Sequence, residues 1–466
     1  GCALALDSHP EMAAPHAFAK REMHELIEAA ASYGIDIIPE VETLGHSLWI
    51  TGLPQYKHLF DGEPWGHNAV CPSHPDTLPL MEEIIREVAG FFPSTWFHAG
   101  LDEAVFDECP ACSERAAGQP GSYVFIQHVL AVHRIVCECG KRMVMWADSV
   151  ESHPQLLEAL PRDIVLTHWH YHQVPPDCAR RSVEAGFTVV GAGAVSGQMI
   201  QPNAANLTNV EEVAGVVRSV PPALRGGMVV CWWEPFHLVR DTALPAIAYA
   251  GAVTDMDSET TRQQVVAEFA QKVFGLEPAA GAVLLRLHEI VPPANELRAL
   301  LPDSLPDFFD AVAIAGTPEF QKRRDEAEHL LETVRSLAGK VEAHKPEFNA
   351  FVLSAEIIAG ALRNASDFSE AFENARQANA LRHANRPQAD VAAFCHAAET
   401  ALTTAVVRTR ELAAAVSDEW DRTRYADDLK KDNSSERLRQ RAAKAFLPVL
   451  LRSSQFLPQV GGTFQG

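Results

Sequence analysis

Two adjacent carboxyl residues, Asp102 and Glu103, end a short apolar run that begins at Trp96. Neighbouring carboxylates repel each other, and this repulsion tends to raise the pKa of one of them. Enzymes that hydrolyse glycosidic bonds usually have two carboxyl groups in the active site. One stays protonated near neutral pH, and the other stays ionised. Acid pairs also occur as solvated loop charges, so the pair by itself does not assign a function.

The element that must hold these acids is predicted to be a buried strand, because residues 96–103 are apolar along their length and acidic at their end. In parallel α/β proteins, ligands bind outside the carboxyl ends of the strands. Consecutive residues of a regular strand face opposite ways. Both acids can therefore serve one site only if the chain bends, and Gly100 is suited to such a bend.

Strand-like runs recur along the first half of the chain, with helical stretches between them, at residues 35–42, 141–148, 164–171, 187–196 and 227–234. This alternation predicts parallel strands joined by right-handed crossovers. Several runs end in aromatic or acidic residues, namely Trp146, Asp148, Trp169, Tyr171, Trp233 and Glu234. Indole faces stack on apolar sugar faces and carboxylates bind hydroxyls, so these ends predict a sugar-binding site. Trp96 starts its strand and is expected in the core.

Strand patterns stop near residue 258, and long helical stretches rich in Ala, Leu, Glu and Arg follow. We therefore expect a catalytic (β/α) domain at residues 1–255 and an all-helical C-terminal domain at residues 256–466. The helical domain carries no recognisable chemistry, and its expected role is structural or oligomerising. A homodimer is left open.

The composition of this 466-residue chain argues against some classes of binding partner. A formal net charge of −22 argues against nucleic-acid and anionic-membrane partners. The nine cysteines form no dense framework, which favours a reducing compartment. A cytoplasmic location is expected on this basis, with secretion left open.

The sequence Cys109-x-x-Cys112 stands apart from the acid motif. With Cys71, His74 and His67 upstream, it could assemble a zinc site. The chain has no second C-x-x-C pair, however, so we expect neither a bound metal nor a cofactor.

Two segments resemble the β-N-acetylhexosaminidases of glycoside hydrolase family 20. Pro39-Glu40 followed by Gly45-His46-Ser47 is similar to one strand end of that family, and His98-x-Gly100-x-Asp102-Glu103 is similar to its acidic motif. The resemblance covers roughly residues 20–236, and its later part is similar to the nucleocytoplasmic and bacterial branch. It departs at Leu101, where many relatives have glycine. It departs also at the 187–196 strand, which lacks their tyrosine, although Tyr171 is a candidate substitute.

The resemblance implies a TIM-type (β/α)8 barrel. Its first strand, and most or all of its second, would precede residue 1, so the barrel is expected to be N-terminally incomplete. The missing part would include an arginine that binds sugar hydroxyls.

The resemblance also implies a retaining, substrate-assisted reaction on a glycan that carries N-acetylhexosamine. Glu103 would be the proton donor and acceptor, and Asp102 would hold the substrate's acetamido N–H. The other implied roles are walls for the sugar from Trp146, Trp169 and Trp233, hydroxyl binding by Asp148 and Glu234, and orientation of the acids by Glu40, His46 and His98. Two alternatives remain, a catalytically silent carbohydrate-binding homologue and a retaining glycosidase with a different sugar specificity.

Overall fold

The computed structural model describes residues 2–62, 69–104, 109–119, 122–171, 173–195, 204–231, 239–254, 260–291, 300 and 304–423. The chain forms two compact units. The first comprises Gly1–Gly193 and Glu211–Val229, and the second comprises Ala194–Val210 and Val230–Gly466. Among the described residues, no helix is both long and apolar enough to cross a membrane.

The main sheet has five strands in the order in which they occur along the chain. They are β5 (Trp96–His98), β6 (Arg142–Trp146), β7 (Val165–His170), β8 (Thr188–Ala194) and β9 (Arg225–Cys231). The pairs β5–β6, β6–β7 and β7–β8 are parallel. Two small two-stranded sheets precede it, made by β1 (Cys2–Leu4) with β2 (Ala13–Phe18) and by β3 (Phe60–Gly62) with β4 (Ala69–Val70).

Helices alternate with these strands, as the sequence pattern predicts. They are α1 (Lys20–Ser32), α2 (Leu48–Thr51), α3 (Thr77–Phe91), α4 (Pro110–Ala116), α5 (Ser122–Glu138), α6 (Asp148–Ser152), α7 (Leu156–Ala159), α8 (Arg180–Glu184) and α9 (Ala204–Ser219). In α3, buried Leu80, Ile84 and Val88 recur at helical spacing and join the hydrophobic core that contains Phe97 of β5. The coarse prediction, a parallel α/β unit, is confirmed.

The predicted strand at residues 35–42 is reduced to an isolated parallel bridge between Glu40 and His98. Val41 N donates to His98 O over 2.9 Å, and His98 N donates to Pro39 O over 2.9 Å. Ile35 is 59% exposed, so the start of this apolar run is not the buried strand that its composition suggested. The predicted strand was wrong about length, and the part that pairs lies along β5.

The second unit is mostly helical, in agreement with the predicted change of texture. Its helices are α10 (Leu244–Thr254), α11 (Arg262–Phe274), α12 (Ala280–Ile290), α13 (Leu305–Ala315), α14 (Pro318–Ala338), α15 (Lys345–His383) and α16 (Gln388–Thr423). Phe274 stacks edge-on with Phe348 and Phe351 at centroid distances of 5.1 and 5.9 Å. Rings of α11 and α15 thus share one apolar core.

Candidate active site

The acid pair lies on a bend directly after β5. Ala99 is bonded on both flanks, since its N–H donates to Val144 O over 2.9 Å and its carbonyl accepts from the Thr43 hydroxyl over 2.9 Å. The chain then turns through positive φ values of 65° at Gly100, 78° at Leu101 and 47° at Glu103. These left-handed residues break the strand's alternation, which lets Asp102 and Glu103 face one site.

Close backbone approach explains the glycines at this bend. A Cβ at Gly100 would lie 2.0 Å from Glu42 Oε2, and a Cβ at Gly45 would lie 2.4 Å from Asp102 O. Both distances are far below van der Waals contact, so a larger residue at either position would displace the acids.

His46 joins the two acids. Its Nε2 lies 3.2 Å from Asp102 Oδ2 and 3.2 Å from Glu103 Oε2. Burial lowers the pKa of His46, but hydrogen bonds to Asp102 and Glu103, together with the negative charge of Asp102, outweigh that effect and raise the pKa to about 10. At neutral pH the ring is therefore an imidazolium between two carboxyl groups.

Glu42 also lies beside the acid pair, and it was not among the site residues predicted from the sequence. Burial, followed by the charges of Asp102 and Glu40, raises the pKa of Glu42 well above its usual value. Glu42 Oε2 and Asp102 Oδ1 are both buried without a hydrogen-bond partner among the described residues. A proton that stays on Glu42 and is donated to Asp102 satisfies both oxygens. Glu42 could have been predicted from the sequence, because it is a carboxyl residue two positions after Glu40. Residues two apart in an extended chain point to the same side.

Asp148 supports the bend from the neighbouring strand. It begins α6 directly after β6, and its Oδ2 accepts a hydrogen bond from Glu103 N over 2.9 Å. Burial raises the pKa of Asp148 to about 6, although the bond from the Glu103 amide opposes that shift. Asp148 thus titrates close to neutral pH beside the acid pair.

Trp146 is held by Glu40 and His98. The indole Nε1 donates to Glu40 Oε1 over 2.9 Å, and the ring centroid lies 4.6 Å from that of His98. His98 Nδ1 is 3.1 Å from the same Glu40 oxygen. Burial raises the pKa of Glu40, but hydrogen bonds from His98 and Trp146 outweigh it and lower the pKa. Glu40 and His98 therefore contact Trp146, whereas His46 contacts Asp102 and Glu103.

Trp169 and Tyr171 lie together at the end of β7, with ring centroids 4.7 Å apart and ring planes at 38°. The predicted residues Trp233 and Glu234 lie outside the described residues. The ends of β5 and β6 thus bring together Asp102, Glu103, Asp148 and Trp146. His46 lies between the two acids, Asp148 binds the Glu103 amide, and Trp146 N donates to Gly100 O over 3.1 Å.

The described part of the chain contains three groups of potential metal ligands. Their members are Asp61, Cys71, Cys109 and Cys112 in one group, His58, His74 and Asp76 in a second, and His133, Cys137 and Asp163 in a third. None of the three groups contains Asp102 or Glu103.

The two carboxyl groups lie on one bend at the carboxyl end of a parallel strand, next to indole rings. This arrangement is typical of a glycoside hydrolase. Comparison with known families identifies which kind. Residues 4–217 match the model described as "Glycosyl hydrolase family 20, catalytic domain". These residues are a little under half of the 466-residue chain, and over them the chain is similar to glycoside hydrolase family 20.

Individual proteins are also similar to parts of the chain. The chain is 30% identical over 189 residues to a beta-hexosaminidase of Vibrio furnissii, covering 37% of this chain and 29% of the relative. It is 25% identical over 207 residues to a lacto-N-biosidase of Bifidobacterium bifidum, covering 41% of this chain and 18% of the relative. A chitobiase structure from Flavobacterium johnsoniae aligns with a TM-score of 0.46 at 14% identity, covering 84% of this chain and 67% of that one. The chain thus spans less than a third of the length of either curated relative.

Proposed function

We propose that the chain hydrolyses glycosides that end in N-acetylhexosamine, with retention of configuration and with the substrate's acetamido group as nucleophile. The observation that carries the proposal is the bend after β5, on which Asp102 and Glu103 share one histidine nitrogen. The family of residues 4–217 supports it as well.

Glu103 is proposed to carry the proton. It protonates the leaving glycosidic oxygen while the acetamido carbonyl oxygen attacks the anomeric carbon and forms an oxazolinium ion. It then takes a proton from the water that attacks the same carbon, which breaks the oxazolinium ring and restores Glu103. The single proton on His46 Nε2 can be donated to one acid at a time, so donation to Asp102 leaves Glu103 able to carry a proton of its own.

Asp102 is proposed to accept the acetamido N–H and to stabilise the positive charge that develops there. Hydrogen bonds from Glu42 and His46 hold the Asp102 carboxyl group in place for this role. Trp146, Trp169 and Trp233 would wall the sugar. Asp148 and Glu234 would bind hydroxyls, and Tyr171 would reach the acetamido oxygen.

The wider assignments are proposals of the same kind. We infer that the sheet is part of a (β/α)8 barrel, that the substrate is a glycan or glycoconjugate, and that no cofactor takes part. A cytoplasmic location, a homodimer and a domain boundary near residue 255 remain predictions.

A substrate pair tests the mechanism. We expect the chain to cleave nitrophenyl N-acetyl-β-glucosaminide and to leave nitrophenyl β-glucoside intact, because only the first carries the internal nucleophile. Equal cleavage of both would contradict acetamido participation and favour a glycosidase of different specificity. Binding of N-acetylglucosamine without turnover of either would favour the silent carbohydrate-binding homologue.

A further inference from the structure

Four side chains with metal-ligand atoms converge in the first unit from three separate segments. Asp61 lies in β3, Cys71 directly follows β4, and Cys109 and Cys112 lie at the start of α4. Their ligand atoms all lie within 4.8 Å of one another. We refer to these four residues as the thiol cluster.

Distances within the thiol cluster suit a shared metal better than a disulfide. Cys71 Sγ lies 3.4 Å from Cys109 Sγ and 3.7 Å from Cys112 Sγ. A disulfide requires about 2.05 Å between sulfurs. Two thiolates bound to a tetrahedral zinc at about 2.3 Å stand roughly 3.8 Å apart. The observed spacing is close to that edge length.

Local hydrogen bonds prepare the sulfurs for a charged state. Cys109 caps the N-terminus of α4, and its Sγ accepts from Cys112 N over 3.2 Å. Ser73 Oγ donates to Cys112 Sγ over 3.2 Å. Donors directed at thiolates stabilise them, and such partners around a metal orient its ligands.

The backbone of the cluster is fixed by further bonds. Cys71 N donates to Leu59 O over 2.8 Å, and Cys71 O accepts from the Thr77 hydroxyl over 2.7 Å. Arg115 Nη1 donates to Pro72 O over 2.8 Å, which ties α4 to the Cys71 segment. The ligands are thus positioned by contacts that do not depend on an ion.

Asp61 supplies an independent sign of a missing positive partner. Its Oδ1 is buried and has no hydrogen-bond partner among the described residues. A buried carboxylate oxygen without a donor is costly unless a cation or a proton compensates it. Oxygen ligands complete zinc sites in which thiolates provide the remaining ligands.

We propose that Cys71, Cys109, Cys112 and Asp61 bind one zinc ion, contrary to the metal-free protein expected from sequence. Four protein ligands leave no open position, so the role is structural. Cys109 follows Glu103 by six residues, and the ion would therefore anchor the chain shortly after the acid pair to the β3–β4 segment. This proposal does not depend on which sugar is cleaved.

Metal analysis of the purified full-length chain tests the proposal. We expect about one zinc per chain, lost on treatment with a strong chelator together with a fall in the unfolding temperature. Cobalt added to the apo chain should give the near-ultraviolet thiolate charge-transfer band of a tetrahedral site. Cys71→Ser and Cys112→Ser should lose the zinc, whereas Cys395→Ser, a free cysteine in the helical unit, should retain it.

Measurements on the unmodified chain keep the test decisive if a variant does not fold. A native chain without zinc, whose apo form gives no cobalt charge-transfer band, would overturn the proposal. A disulfide between Cys71 and Cys109 in freshly purified protein would overturn it as well. Asp61→Asn should weaken zinc in competition with a chelating dye, while Asp177→Asn should not. Equal affinity in both variants would remove Asp61 from the ligand set.

Discussion

Two buried polar clusters, one in each unit, satisfy their hydrogen bonds differently. In the helical unit, Asn364 donates to Thr409 over 2.8 Å and accepts from Arg408 over 2.6 Å, while Arg408 also binds Asp367 over 2.7 Å. At the acid bend, buried oxygens of Glu42, Asp102 and Asp148 have no partner among the described residues. We refer to these as the helix network and the acid cluster.

The difference separates a structural cluster from a functional one. A satisfied network holds helices in one arrangement, because any shift would leave a buried group unpaired. Unpaired buried acceptors require another explanation, such as a retained proton or a ligand still to be bound. The acid cluster is therefore built for protons and substrate, and the helix network is built for packing.

The largest expected effect is on chemistry at the acid cluster. Glu103→Gln preserves shape but cannot transfer a proton, so kcat/KM on N,N′-diacetylchitobiose should fall about 10²- to 10⁴-fold. The loss on a nitrophenyl glycoside should be smaller, because nitrophenolate leaves with little protonation. Steady-state kinetics measure both. Glu158→Gln at an exposed helix position is the control, and equal rates in both variants would show that Glu103 is not the acid.

An intermediate effect is expected on stability in the helix network. Asn364 is fully buried, and Asn364→Ala leaves Thr409 and Arg408 without this partner, so the free energy of unfolding should fall by about 1–3 kcal/mol. Urea denaturation measures the change, with Asn379→Ala on the exposed side of α15 as control. The kcat/KM of folded protein should not change. A large loss of activity without a loss of stability would break the distinction between the two clusters.

The smallest expected effect is a change in how the free energy of unfolding depends on pH, caused by Glu42. Its pKa is raised on folding, so its contribution to stability is present at low pH and is lost as pH rises above its unfolded value of 4.5. Glu42→Gln should match wild type near pH 4.5 and become the more stable protein toward pH 8. Denaturation across this range is the measurement.

Asp148→Asn provides a second variant for the same denaturation experiment, with a different expected pH range. The pKa of Asp148 rises only to about 6, so its effect should grow from about pH 3.8 and level off above pH 6. The Glu42 effect should continue to higher pH. If both variants levelled off together, Glu42 would not hold the proton that we assign to it.

Much of the acid bend follows from local sequence patterns. The apolar run before Asp102 predicted β5, and Gly100 predicted the turn, because period and glycine placement are local properties. The departure at Leu101 also has a physical meaning. Its φ of 78° is a conformation that glycine adopts freely, and a fully buried leucine holds it here at a cost of roughly 1–3 kcal/mol.

Other features depend on contacts distant in sequence and could not be predicted. The proton on Glu42 depends on Asp102, sixty positions later. Asp61 gave no metal signal by itself, because its proximity to Cys109 arises only when β3 and α4 meet. The run at residues 35–42 was apolar enough to predict a strand, yet only the bonds around His98 decide how much of it pairs.

The two-sided bonding of Ala99 has a consequence for substrate binding. Its amide and carbonyl are held by Val144 and Thr43, so the residue from which the acid bend departs has little conformational entropy left to lose. A ligand that binds Asp102 and Glu103 then orders few further degrees of freedom in this part of the chain. In the reaction that we propose, more of the ligand's contact energy remains available for distorting the sugar toward the transition state.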